Sequence, residues 1–140
     1  MAIWFKAYEI AQLQSGNYVN MLAHLDIQLE EIGDDFLAAS MPVDKRTQQP
    51  FGILHGGATC VLAESLGSIA ANLVLDLDKQ YAVGLEINAN HLRSVREGRV
   101  QAITRPVHLG RSTQVWEIRV QDEKGKLSAI SRLTMAVLDR

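Results

Sequence analysis

The sequence has a single cysteine, Cys60, in 140 residues, which excludes an intramolecular disulfide framework and a Cys-based zinc site. Its histidines, His24, His55, His91 and His108, show no metal-ligand spacing, so no metal is expected. No long hydrophobic run is present. The most apolar stretch, 58–75, is interrupted by Glu64, Ser65, Ser68 and Asn72, so no membrane span is expected. Nor is there an excess of one charge: 14 Lys plus Arg against 16 Asp plus Glu leave a net −2, without the electrostatic footprint of a nucleic-acid binder. Residues 1–6 lack the basic and apolar regions of a secretory signal, and the expected location is cytoplasmic. Gly-rich phosphate loops and G-x-S-x-G elbows are missing too. What remains is ordinary globular composition, 47% hydrophobic and 21% charged, at a length that fits one domain over 1–140.

The first third predicts short helices over 7–14 and 18–24, with Gly16 as a breaker. Residues 25–30 alternate apolar and polar like a half-buried strand, Gly33-Asp34-Asp35 turns, and 36–43 returns. Pro50 marks 44–51 as a loop. From His55 to Leu75, Ala58, Val61, Leu62, Leu66, Ile69, Leu73 and Val74 recur at helical spacing. The opposite face carries the small residues Cys60, Gly67 and Ala71, so the helix is expected to be buried on most sides. Strand-like segments follow over 81–91, 98–109, 113–121 and 127–138, the last pair joined by a turn at 122–126. Short connections favour antiparallel pairing. The expected fold class is α+β, a curved antiparallel sheet of six strands wrapped round one long helix.

Between Arg46 and Asp76 the sole charged residue is Glu64. A carboxylate within a buried helix is costly unless it is paired, hydrated or used. Position alone divides evenly between a structural glutamate and a catalytic one. His55-Gly56-Gly57 opens the same helix, where unpaired N–H groups at the positive dipole end suit an anion or a developing oxyanion; a tight glycine-rich turn explains the same residues without function. Gly56 and Glu64 are eight positions apart, about 12 Å along a helix. A donor and an attacking carboxylate must each come within about 3 Å of one carbonyl group. Two antiparallel copies across a two-fold axis could satisfy this, each giving its Gly56 N–H to the other's Glu64. Ser68 lies one turn after Glu64, and Gln49 precedes the helix where an amide could orient a water. Arg93, Arg96, Arg99, Arg105 and Arg111, with His91 and His108, form a basic stretch that either meets phosphates or decorates a sheet edge.

The stretch from Gln49 through His55-Gly56-Gly57 to Leu62-Ala63-Glu64-Ser65 resembles the hotdog-fold acyl-CoA thioesterases that carry a catalytic Glu on the central helix. Met41-Pro42-Val43-Asp44, residues 84–91 and His108-Leu109-Gly110-Arg111 resemble, within that family, the 1,4-dihydroxy-2-naphthoyl-CoA thioesterases of menaquinone biosynthesis. The resemblance implies a hotdog dimer paired again into a homotetramer. It assigns Glu64 as nucleophile or general base, the Gly56 N–H as polariser of the thioester carbonyl and Gln49 as the group placing the water. Ser68 and His55 would support them. Gly84, the run His91, Leu92, Arg93 and Ser94, and the run His108, Leu109, Gly110, Arg111, Ser112 and Thr113 would contact coenzyme A. Coenzyme A belongs to substrate and product, and no cofactor is implied.

The related proofreading thioesterases of enterobactin synthesis share the core motif and act on aryl groups held by a carrier protein, which leaves broad aryl or acyl thioester hydrolysis as the alternative. A non-catalytic acyl-CoA-binding hotdog protein is a rival from another class. Glu64, Gln49 and Ser68 argue against it, because binding alone does not need such a carboxylate. A hotdog dehydratase would show a His in an early loop with the acid on the central helix, a pattern not seen here.

Overall fold

Along 113–121, Trp116, Ile118 and Val120 face one way and Glu117 and Arg119 the other, the alternation of a strand lying on a core. In the computed structural model, which describes residues 1–14 and 19–140, that segment lies inside a six-stranded sheet. The elements run α1 (Ile10–Gln14), α2 (Met21–His24), β1 (Gln28–Ile32), β2 (Leu37–Pro42), α3 (Gly56–Leu73), β3 (Gln80–His91), β4 (Arg99–Leu109), β5 (Thr113–Gln121) and β6 (Leu127–Asp139). All pairings are antiparallel, in the order β1-β2-β4-β5-β6-β3. The sheet curls round α3, which packs against β2 through β6. This is the expected α+β hotdog architecture.

Leu62, Leu66 and Ala70 on α3 and Trp116, Ile118, Leu133 and Met135 on the sheet are fully buried. Gly67 sets how closely helix and sheet approach: a Cβ there would lie 2.6 Å from Leu133 Cδ2. The Trp116 indole donates to Gln114 Oε1 at 2.8 Å, so the largest core side chain leaves no unpaired polar atom. Trp4 stacks on Trp116, 6.4 Å between ring centroids, and fastens the N-terminal segment to the core. At the far end of α3, the Asn72 amide accepts from Ala82 N at 2.8 Å and donates to Ala82 O at 3.1 Å. That pair of hydrogen bonds pins the helix end to the start of β3, and α3 runs antiparallel to it.

Several expectations need correction. The long helix is Gly56–Leu73, and His55 is its N-cap. The expected helix over 7–14 is confined to Ile10–Gln14, and the one over 18–24 starts at Met21, with Asn20 Oδ1 accepting from Leu22 N and Ala23 N. Gly16 and Tyr18 lie outside the described residues. The first strand begins at Gln28 rather than Leu25, because Leu25 caps α2 and Asp26 turns the chain at φ 51. Within β4, Pro106 has no N–H for the ladder and sits where the register shifts between Pro106 and His108. Burial of α3 is not complete all round. Gly57 is exposed and Cys60, Val61, Glu64, Ser65 and Ser68 are half-buried, so one face of the helix stays open in the single chain. Gly67 and Ala71 are buried, as expected of small residues on a helix enclosed on most sides.

Candidate active site

The entry to α3 is fixed by main-chain bonds before any side chain acts. His55 N donates to Thr47 O and Leu54 N to Val95 O, each at 2.8 Å. The His55 ring then folds over the helix start, and its Nδ1 accepts from Gly57 N at 2.8 Å. An accepting Nδ1 puts the ring proton of the neutral imidazole on Nε2. His55 O accepts from Thr59 N at 3.1 Å. The Gly56 N–H is left with no acceptor among the described residues, at the positive end of an 18-residue helix.

Gln49 is held in a tight turn: its N donates to Ile53 O, and its O accepts from Gly52 N, both at 2.9 Å. Gly52 makes that turn at φ +78, a conformation open to glycine. Phe51 N donates to Gln49 Oε1, so the amide carbonyl is occupied and the NH2 group is the end available to a ligand. Gln49, Gly56, His91, Leu92, Arg93 and Ser94 line one cavity of about 340 Å³. The segment after β3 is tied there by Leu92 N and Arg93 N, which donate to Ser128 O at 2.8 and 3.2 Å.

Glu64 lies elsewhere. Its Oε2 sits 2.6 Å from the point where a Cβ on Gly84 would be, so the carboxylate rests on the bare backbone of β3. The ladder slips there, between Gly84 and Glu86. Ser68 follows one turn later on the same open face, and Cys60 precedes by one turn. Burial first, and then the Glu64 charge, push the Cys60 thiol above its ordinary value, as that spacing requires. The carboxylate is half-buried, not enclosed as the sequence suggested.

The remaining expected contacts are divided. His108 to Thr113 run from the end of β4 through the turn into β5, and the turn is closed by Gly110 N to Thr113 O at 2.9 Å. Through Thr113, Ala136 and Val83 this turn aligns with the start of β3, whereas His91 aligns with Ala129 and Val120 at the opposite end. The two runs expected to hold coenzyme A are therefore apart within one chain. The basic stretch disperses likewise: Arg99 pairs with Asp26 at 2.9 Å, and Arg105 lies over the Phe36 ring. Sequence reasoning missed Thr59 and Ser128 as walls of the Gly56 cavity; Ser128 carries no local signal, since it arrives through β6. It also missed a second, mostly apolar cavity of about 740 Å³ beside His55 and Gly57, roofed by Met21, His24 and Leu25. Among the described residues no cluster of His, Cys, Asp and Glu could hold a metal ion, and no helix is long and apolar enough to cross a membrane.

Comparison with known proteins agrees with the architecture. A family model described as the thioesterase superfamily matches residues 51–129. The chain is 55% identical to a 1,4-dihydroxy-2-naphthoyl-CoA hydrolase of Escherichia coli (strain K12), over 97% of this chain and 99% of that one. It is 47% identical to a proofreading thioesterase of Cronobacter sakazakii, over 97% of this chain and 98% of that one. The crystal structure of a thioesterase variant from Pseudomonas aeruginosa superimposes with a TM-score of 0.97 at 51% identity, covering 99% of this chain and 100% of that one.

Proposed function

The chain belongs to the thioesterase superfamily, and from that premise we propose that it hydrolyses 1,4-dihydroxy-2-naphthoyl-CoA to the carboxylic acid and free coenzyme A. The substrate is taken from the relative in Escherichia coli. One observation carries the mechanism: the unpaired Gly56 N–H and the open-faced Glu64 carboxylate lie at separate places along α3, while β3 beside them is an edge strand. That edge exposes Val83 (39%) and Leu85 (61%) beside the polar Glu86, Asn88 and Asn90, and an unpaired edge strand is a template for a second strand.

The working unit is a dimer with two composite sites. An antiparallel pairing of two β3 strands centred between Ile87 and Asn88 sets the His91 of one copy opposite Gly84 of the other. Because Gly56 accompanies His91 and Glu64 accompanies Gly84, each donor is delivered to the other copy's carboxylate. The same pairing brings one copy's 108–113 turn towards the other's 91–94 run, reuniting the coenzyme A contacts. The dimer pairs again into a tetramer, and the 1–140 chain acts as one cytoplasmic domain.

In the reaction, the Gly56 N–H polarises the thioester carbonyl. The Gln49 NH2 group, its carbonyl held by Phe51, donates to the attacking water and leaves the water protons facing Glu64. Ser68 supports that water and His55 caps the helix that aims Gly56. Glu64 either takes the water proton or attacks to form an anhydride that water opens. A thiolate leaves readily, so no strong acid, metal or redox cofactor is used. Single turnover in oxygen-18 water separates the two routes: label in Glu64 assigns the anhydride, and label confined to the product acid favours the general base.

A second reading, hydrolysis of mischarged aryl groups on a carrier protein, is favoured by the proofreading relative. The deciding experiment is thiol release from a hydroxynaphthoyl-CoA, benzoyl-CoA, a medium-chain acyl-CoA and an aryl carrier protein, beside Glu64→Ala. Preference for the naphthoyl thioester, lost in the variant, supports the main reading. Preference for the carrier-bound aryl group supports the second. No release from any of them overturns both.

A further inference from the structure

His91 was expected to touch coenzyme A, yet its ring lies against the start of α3. A Cβ placed on Gly56 would be 2.9 Å from His91 Nε2, 3.1 Å from Cε1 and 3.4 Å from Cδ2. Turning the ring over exchanges Nε2 with Cε1. Nε2 therefore stays beside Gly56 in either orientation. It has no hydrogen-bond partner among the described residues, and the exposed ring borders the cavity shared with Gln49 and Gly56. The backbone that carries the ring is placed firmly: His91 is the last residue of β3, paired with Ala129, and the next two N–H groups are both tied to Ser128 O.

The spacing suits a shared acceptor. Cβ and N of one residue are about 2.5 Å apart by standard covalent geometry, so Nε2 lies no further than about 5.4 Å from the Gly56 nitrogen. One oxygen that accepts from two donors at about 2.9 Å each spans donors separated by about 5 Å. An oxyanion is usually held by more than one donor, and Gly56 alone supplies one.

We propose that the His91 imidazole is a catalytic second donor, its Nε2–H and the Gly56 N–H together holding the thioester carbonyl oxygen. This rests on the reading of Gly56 as the carbonyl donor. The charge that develops on the oxygen as the carbonyl is attacked is what both N–H groups meet, and no proton is transferred. The contact also accounts for glycine at position 56, since a side chain there would displace the ring.

The test uses the full-length protein and one aryl group presented both as the CoA thioester and as the N-acetylcysteamine thioester, which lacks the nucleotide. His91→Phe keeps a flat ring and removes the donor; His91→Gln returns an N–H at similar reach. The expected result is a fall in kcat of about 10²-fold for His91→Phe on both substrates, with KM on the CoA thioester changed less than about threefold. His91→Gln recovers about tenfold of that loss. Unchanged kcat, or a rise in KM confined to the CoA thioester, overturns the proposal and returns His91 to coenzyme A contact. Loss of kcat in His91→Phe without recovery in His91→Gln also overturns it, as damage to packing. Glu64→Gln run alongside keeps the failures distinct: if it leaves both substrates turning over, the site reading itself is wrong.

Discussion

The two ends of the α3–β3 pair are chemically opposite. At the Gly56 end there are N–H groups, from Gly56, Gln49 and His91, and no carboxylate among the cavity walls. At the Gly84 end there is a carboxylate, Glu64, pressed on bare backbone. Hydrolysis needs both kinds of group within about 3 Å of one carbonyl, and eight helical positions, about 12 Å, hold them apart. On the proposed reading a single chain presents two incomplete half-sites, each pre-built by its own local bonds. In the proposed dimer, assembly rather than conformational change within the chain completes them.

The largest effect is expected at the acid end. Glu64→Gln keeps the volume and removes the charge, and kcat should fall by about 10²–10⁴-fold, measured by thiol release. Thermal unfolding should be unchanged or shifted upward, because Glu64 forms no ion pair among the described residues. A variant that keeps wild-type kcat would remove the acid end from the chemistry altogether.

At the donor end, Gly56→Ala drives a methyl to 2.9 Å from the His91 ring, and kcat should fall by about 10²-fold. Together the two variants test the separation itself. Heterodimers of Glu64→Gln with Gly56→Ala, isolated through two different tags, contain one site damaged twice and one intact site. They should regain about half the wild-type kcat per dimer. A heterodimer as poor as its parents would mean that donor and carboxylate act within one chain.

How much of this was legible beforehand follows the range of the interactions. Alternation reads burial locally, and 113–121 matches β5 end to end because its core-facing residues repeat without interruption. Leu25 to Ile27 also alternate, but the cap of α2 and the positive φ of Asp26 claim them first. Glu64 stood out as a lone charge, and its openness did not, because exposure of a helix face depends on where the sheet ends. Glu64 meets Gly84 beside a register slip in the pairing of β3 with β6, and no local pattern encodes that. The Gln49 orientation is similar: the amide was visible, while the Phe51 N–H that selects its free end is a detail of turn geometry.

A smaller effect probes how tightly the acid end is pre-built. Gly84→Ala sets a methyl 2.6 Å from Glu64 Oε2. The carboxylate is the far end of a flexible side chain, so it shifts rather than breaking the fold. A displacement of this kind should lower kcat by about 10-fold to 10²-fold while the melting temperature stays near wild type. Unchanged kcat would show that the carboxylate finds its working position only after the second copy arrives.

The smallest effect comes from a site outside both halves and separates stability from chemistry. Asp26 ties the exit of α2 to β4: its carboxylate accepts from Gln28 Nε2 at 2.7 Å and Arg99 Nη1 at 2.9 Å. The Gln28 hydrogen bond first, then Arg99, hold its carboxyl below the ordinary value of 3.8. A carboxylate whose folded pKa is depressed stabilises above the unfolded pKa, and that stabilisation is lost as pH falls through the folded one. Asp26 and Arg99 are 38% and 35% exposed, so solvent screening limits the contribution to below about 1 kcal/mol. Asn tolerates the left-handed backbone that Asp26 adopts, so Asp26→Asn removes the charge and keeps the turn. Its melting temperature should drop by a few degrees at pH 7, on the scale of about 2–8 °C per kcal/mol, and the gap should close below about pH 4. Its kcat should stay at the wild-type value. A fall in kcat as large as that of Gly84→Ala would show that loss of stability alone imitates damage to a half-site, and would weaken every inference drawn from kcat at either end.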